Sequence, residues 1–315
     1  MIDITAVAAT HGDATQDNEQ RYAGKGTLRR HPLAAFFVLA YGLSWLVWLP
    51  YVLSQNGLKV LPLSYPVLLG QTQVLGVLPG LYLGPVTAAV VVTALTEGRR
   101  GLRAWRRRLL NVRVRWTWWV GVAAAVPLAI IAATFLLPGA AAALRPTSPV
   151  LLLYYVPVLA SQVVTTAFGE EPGWRDFALP RLQSLRGPLL GTVILGLLWG
   201  GWHLPLFLTA DWGRWPDASA MQPVLFIAGC VPLSLVMTWV FNRTGQSVPL
   251  VMLLHASINT TYTLIWPKLF PALDAAGLNY TVQLIATVAA TLVLLVATRG
   301  RLGLAREDPR RNNHS

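Results

Sequence analysis

Eight stretches of this chain are apolar for about the length a helix needs to cross a bilayer: residues 33–54, 76–97, 116–137, 150–169, 187–208, 222–241, 248–266 and 279–298. Roughly 20 residues rising 1.5 Å each match about 30 Å of hydrocarbon. Lipid offers a backbone no hydrogen-bond partner, so each such run must satisfy its own amides as a helix. The expected fold is therefore all-α, a polytopic membrane helix bundle of about eight transmembrane helices. Composition agrees, because 12% of residues are charged and 54% hydrophobic, whereas a soluble domain carries about 25% charged residues. Residues 33–298 read as one domain, preceded by a disordered cytoplasmic arm over 1–32 and followed by a basic cytoplasmic tail over 299–315.

Charge sets the orientation. Residues 1–32, 98–115, 169–186, 242–247 and the tail from Arg299 hold 21 of the 25 Lys and Arg residues. The other four are Lys59, Arg145, Arg214 and Lys268. The positive-inside rule places the basic set, and with it both termini and segment 169–186, in the cytoplasm. The net charge of +12 then reflects topology and contact with anionic lipid headgroups, with no nucleic acid partner. Asp3, Asp13, Asp17 and Glu19 in the arm are the wrong chemistry for a cleavable signal peptide. Arginine outnumbers lysine 22 to 3, which points to a GC-rich bacterial genome and so to a bacterial cytoplasmic membrane. Cys230 is the only cysteine, which excludes an internal disulfide and a cysteine-based metal site. In loop 98–115, Arg99, Arg100, Arg103, Arg106, Arg107 and Arg108 interleave with Leu102, Trp105, Leu109 and Leu110, the spacing of a helix lying in the headgroup layer.

Against this background two adjacent carboxylates stand out. Only seven acidic residues occur between Ala34 and Thr298, and two of them are Glu170 and Glu171 in Gly169-Glu-Glu-Pro-Gly-Trp-Arg175. Ionisable groups at the edge of lipid are costly and mark function. Neighbours on a helix point about 100° apart. Arg175, four residues after Glu171, can pair with it and leave Glu170 free as a base. Pro172 and Gly173 also allow the helix to end there, with Arg175 folding back over the carboxylates. The competing reading is a solvated Glu–Arg pair at a cytoplasmic helix end.

The two histidines of the apolar body lie on later spans. His203 closes Trp199-Gly-Gly-Trp-His203, with Trp199 four residues before it on the same face; His255 and Asn259 likewise share a face of the seventh span. Such side chains in lipid need partners. They can serve as interhelical glue, or they can build a polar pocket for water and an oxyanion.

Taken together, Glu-Glu-x-x-x-Arg, then an aromatic-x-x-x-His span, then His-x-x-x-Asn resembles the CPBP family: type II CAAX prenyl endopeptidases and bacteriocin-processing, Abi-type membrane proteases. The resemblance covers roughly residues 84–298. It implies an intramembrane endopeptidase in which Glu170 activates water and Glu171, Arg175, His203, His255 and Asn259 complete the site. The family's second motif usually begins with Phe, and Trp199 keeps an aromatic wall there. The residue after the motif arginine is often Gly. Here it is Asp176, which can compete with Glu171 for Arg175.

The favoured chemistry needs no cofactor. A zinc-dependent version is possible, with Glu170, His203 and His255 as three protein ligands, although no His-Glu-x-x-His spacing occurs. The substrate would be a membrane-associated peptide or protein. A non-proteolytic scaffold or immunity protein is the alternative from another class, and transport is disfavoured because no inverted repeat is visible. The site residues are expected to converge on a cavity open to the cytoplasm. Depth poses a problem. Counted from Gly187, His203 lies about 24 Å down its span, while His255, counted from Ser247, lies about 12 Å down. Either the fifth helix begins below the membrane surface or the Glu-bearing helix also descends into a deep funnel.

Overall fold

The structure, a computed structural model, describes residues 29–68, 72–217 and 219–304. Most of the expected arm and tail therefore lies outside the described residues. Those described are helical, with no β-strand among them. The main helices are α1 (Pro32–Leu53), α2 (Gln73–Thr96), α3 (Gly98–Leu109), α4 (Trp116–Thr134), α5 (Leu151–Gln162), α6 (Leu179–Trp202), α7 (Met221–Arg243), α8 (Val248–Leu269) and α9 (Asn279–Thr298). Proline at the first position of α1 fits a place where its missing amide is not needed.

Among the described residues, seven helical stretches are long and apolar enough to span a membrane, and one of them, Leu151–Leu208, is 58 residues long. That one supplies two crossings, because the chain leaves helical geometry at Gly187 (φ 73°, ψ 170°) and doubles back. Only glycine adopts such a backbone without strain. The return is tight: a Cβ on Gly191 would lie 2.6 Å from the Leu182 carbonyl oxygen. Farther in, Trp174 and Trp202 meet with ring centroids 5.5 Å apart.

The segment expected as a cytoplasmic loop, 169–186, is instead part of this helical hairpin. Residues 163–167 and 172–178 are π-helical, and every residue from 169 to 179 is buried. The helix does not end at Pro172; the widened turn accommodates a residue that lacks an amide donor. The charges of Glu171, Arg175 and Asp176 are neutralised within the protein by pairs described below, while Arg186, next to the turn, is exposed.

Small residues let the hairpin pack closely. A Cβ on Gly173 would sit 2.6 Å from the Pro85 carbonyl oxygen of α2, and one on Gly196 would sit 2.7 Å from the Val231 Cα of α7. Side chains this small are how membrane helices bring backbones together. The arginine-rich helix is present as α3, with Arg99, Arg100, Arg103, Arg106 and Arg107 exposed. It is pinned to the hairpin by Trp105, whose Nε1–H donates to the Pro172 carbonyl at 3.0 Å.

Candidate active site

The hairpin settles the depth problem by symmetry. Glu170 precedes Gly187 by 17 residues and His203 follows it by 16, or about 25 and 24 Å of helix. Both therefore lie at one depth in the bundle. The Glu-bearing helix does descend, and the glutamate pair is an interior feature rather than the foot of a span.

Glu170 is 1% exposed. Its Oε2 accepts a 2.6 Å hydrogen bond from Trp199 Nε1–H and stands 3.8 Å from His203 Nε2. His203 Nδ1 lies 2.9 Å from the Trp199 carbonyl. A carbonyl only accepts, so Nδ1 carries a proton, and Nε2 is the ring nitrogen turned toward Glu170. Trp212 stacks on the histidine ring, with centroids 5.4 Å apart and planes at 19°.

Glu171 has different company. Its Oε1 is 2.7 Å from His255 Nδ1 and its Oε2 is 3.4 Å from Arg175 Nε, with the side chains of Glu171 and Arg175 both fully buried. Arg175 also reaches Ser234 Oγ at 3.3 Å and Met237 Sδ at 3.0 Å, and its guanidinium lies 4.2 Å over the Trp199 ring. Asp176 does not compete for it. That carboxylate is held by Arg108 of α3, whose Nε is 2.5 Å from Oδ1 and whose Nη2 donates to the Asp176 carbonyl at 3.1 Å. The i, i+4 pairing of Glu171 with Arg175 is thus as the spacing predicts, and Glu170 is left outside it.

The Asn259 side chain hydrogen bonds to neither histidine. Its Nδ2 donates to Gln162 Oε1 at 3.4 Å. Asn259, Gln162 and Glu170 line one cavity of about 690 Å³, together with Thr72, Gln73, Leu81, Ser161, Thr166, Asp211, Trp212, Tyr262 and Thr263. The expectation of a cavity on the basic-loop side is corrected here. Its walls come from the start of α2, the far half of α8 and the loop after His203, all away from α3. On the α3 side the buried stretch 171–179 stands between the site and the surface. The positive-inside count puts the glutamates at the cytoplasmic edge, and the expected cytoplasmic opening follows from that.

The zinc alternative needs Glu170, His203 and His255 around one point. Among the described residues no group of three His, Cys, Asp or Glu side chains is arranged to hold a metal ion. His255 turns Nδ1 to Glu171 instead.

Three contributors have roles that the sequence does not give. Trp199 reads as a wall, yet its indole N–H holds the carboxylate of Glu170. Gln162 carries the only sequence signal available for it, a polar side chain inside an apolar span. Asp211, hydrogen bonded by the hydroxyls of Thr72 and Tyr51, sits in a short connection where sequence offers no cue.

Residues 149–261 match the family described as type II CAAX prenyl endopeptidase, Rce1-like. A relative from Methanococcus maripaludis, CAAX prenyl protease 2, is 27% identical over 113 residues. That match covers 35% of this chain and 41% of the relative, so it spans less than half the length of either. The family match, residues 149–261, includes Glu170, His203, His255 and Asn259. Both findings support the CPBP resemblance drawn from the three motifs.

Proposed function

We propose that this chain is an intramembrane endopeptidase, similar to CAAX prenyl endopeptidases, in which Glu170 is the general base. The observation that carries this reading is Glu170 itself. It is a carboxylate that is almost wholly buried yet lines a cavity, with one oxygen fixed by Trp199. Glu170 Oε2 and His203 Nε2 face each other at 3.8 Å, and in the neutral form of His203 both are acceptors. A water molecule entering there can donate one O–H to each and be oriented for attack.

As that water adds to a peptide carbonyl, Glu170 takes its proton and returns it to the departing amine. The carbonyl oxygen becomes an oxyanion. Asn259, held by Gln162, offers an amide donor to it, and a protonated His255 offers Nε2–H with its charge balanced by Glu171. Glu171 and Arg175 hold the site together without touching the reacting atoms. This reading includes no metal-dependent step. The substrate class is a membrane-associated polypeptide, and the enzyme works as an integral membrane protein with both termini cytoplasmic.

The deciding experiment is cleavage by the purified full chain in lipid vesicles, using a prenylated CAAX peptide and an unmodified membrane-anchored peptide. Cleavage of either by the native protein and its loss in Glu170→Gln supports the assignment. Equal cleavage by both proteins removes it, and no cleavage of any membrane peptide by folded protein favours a binding scaffold.

A further inference from the structure

We infer that the substrate enters from the face opposite the arginine-rich loops, so that the enzyme cuts polypeptides presented on the extracytoplasmic side. This rests on the endopeptidase reading for the word "substrate", and on two independent observations for the side.

The first is where the cavity lies. Gln73 and Val74 open α2, Asp211 and Trp212 follow the α6 hairpin, and Tyr262 and Thr263 lie in the far half of α8. All are on the end of the bundle away from α3. At the α3 end the way is closed by Trp174, Arg175, Phe177 and Leu179, each with no exposed surface. Arg108 and Trp105 tie α3 across that closure.

The second is the charge distribution. Arg175 is buried and does not report on topology, but taking it out of the basic set leaves the imbalance of 21 against 4 essentially intact. The α3 end is the cytoplasmic end. The cavity therefore faces the other compartment.

Depth narrows the substrate further. Gly169 packs on Leu81, eight residues into α2 from Gln73, which puts Glu170 about 12 Å below the helix start. An extended chain advances about 3.3 Å per residue. The substrate must therefore supply about four residues free of secondary structure on at least one side of the cut bond. An exported or membrane-anchored polypeptide with an unfolded terminus or juxtamembrane stretch meets this; a folded loop does not.

Cysteine labelling tests the side without reference to activity, because the native chain's single cysteine, Cys230, is buried. Gln73→Cys and Thr263→Cys report on the cavity, and Arg103→Cys and Ser184→Cys report on the basic face. A membrane-impermeant maleimide is added to intact cells, then to permeabilised ones. The expected result is labelling of the first pair in intact cells and of the second only after permeabilisation. Any other pattern overturns the inference, including a first pair that never labels. In parallel, polypeptide termini in the two compartments are compared between wild-type and Glu170→Gln cells. Differences confined to the extracytoplasmic fraction support the substrate class, and differences confined to the cytoplasm overturn it. No difference in either fraction removes the endopeptidase reading and leaves the labelling to decide the side alone.

Discussion

Glu171→Gln and Glu170→Gln are the same chemical change one residue apart, and the structure separates their consequences. Glu171 is the carboxylate facing Arg175, which has no exposed surface and, among the described residues, otherwise meets Ser234 Oγ, the Met237 sulfur and the Trp199 ring. Glutamine at 171 still offers His255 an acceptor but leaves a guanidinium buried without an anion. Removing one member of a buried pair costs about 3–5 kcal/mol. With an unfolding entropy of about 2.1 cal/mol/K per residue, that lowers a melting midpoint by on the order of 5–10 °C. Glutamine at 170 keeps an oxygen for Trp199 Nε1–H and gives up only the charged part of that bond, about 1 kcal/mol. Its effect falls on chemistry, where losing a general base costs about 10²-fold or more. Detergent melting curves beside initial cleavage rates read both. A Glu171→Gln protein that melts with the wild type refutes the buried-pair reasoning. A fully active Glu170→Gln refutes the base assignment.

Trp199→Phe keeps the ring and deletes the donor at 2.6 Å from Glu170, so kcat should fall by about 10- to 100-fold with the fold intact, matching 1.5–3 kcal/mol for a bond to a charged group. The same change made on Glu170→Gln should cost less, and equal costs on both backgrounds would separate Trp199 from the carboxylate. Gly196→Ala places a Cβ 2.7 Å from the Val231 Cα and should destabilise by about 1–3 kcal/mol. Gly121→Ala, which meets nothing within 4 Å, is the control for that melting experiment. Cleavage should survive prolonged treatment with a zinc chelator, and its loss with recovery on adding zinc would replace the glutamate mechanism by a metal one.

Much of the bundle is legible because crossing lipid demands long apolar runs. The expected spans at 33–54, 76–97 and 116–137 differ by at most three residues at either end from Pro32–Leu53, Gln73–Thr96 and Trp116–Thr134, and 279–298 coincides with Asn279–Thr298. Segment 169–186 was not legible for a definite reason. Charge in a sequence reads as exposure, whereas Glu171, Arg175 and Asp176 cancel their charges against His255, each other and Arg108 inside the protein. The pairing of Glu171 with Arg175 could be read, since it depends on helical spacing alone. The hold of Trp199 on Glu170 joins residues 29 positions apart and depends on where the chain turns back. Nothing in local pattern reports that.

The turn at Gly187 also decides where this chain can change length. From Glu170 to His203 the helix runs out and returns with no slack, and one inserted residue in either arm would advance its far end by 1.5 Å and rotate it by 100°. Glu170 and His203 would then face different directions. Connections between membrane helices ordinarily tolerate insertions and deletions. This one behaves as a ruler, and relatives that keep the Glu170–His203 pair should vary in length elsewhere, in the connections at 54–72 or 135–150, and hold the 32 intervening residues fixed in number.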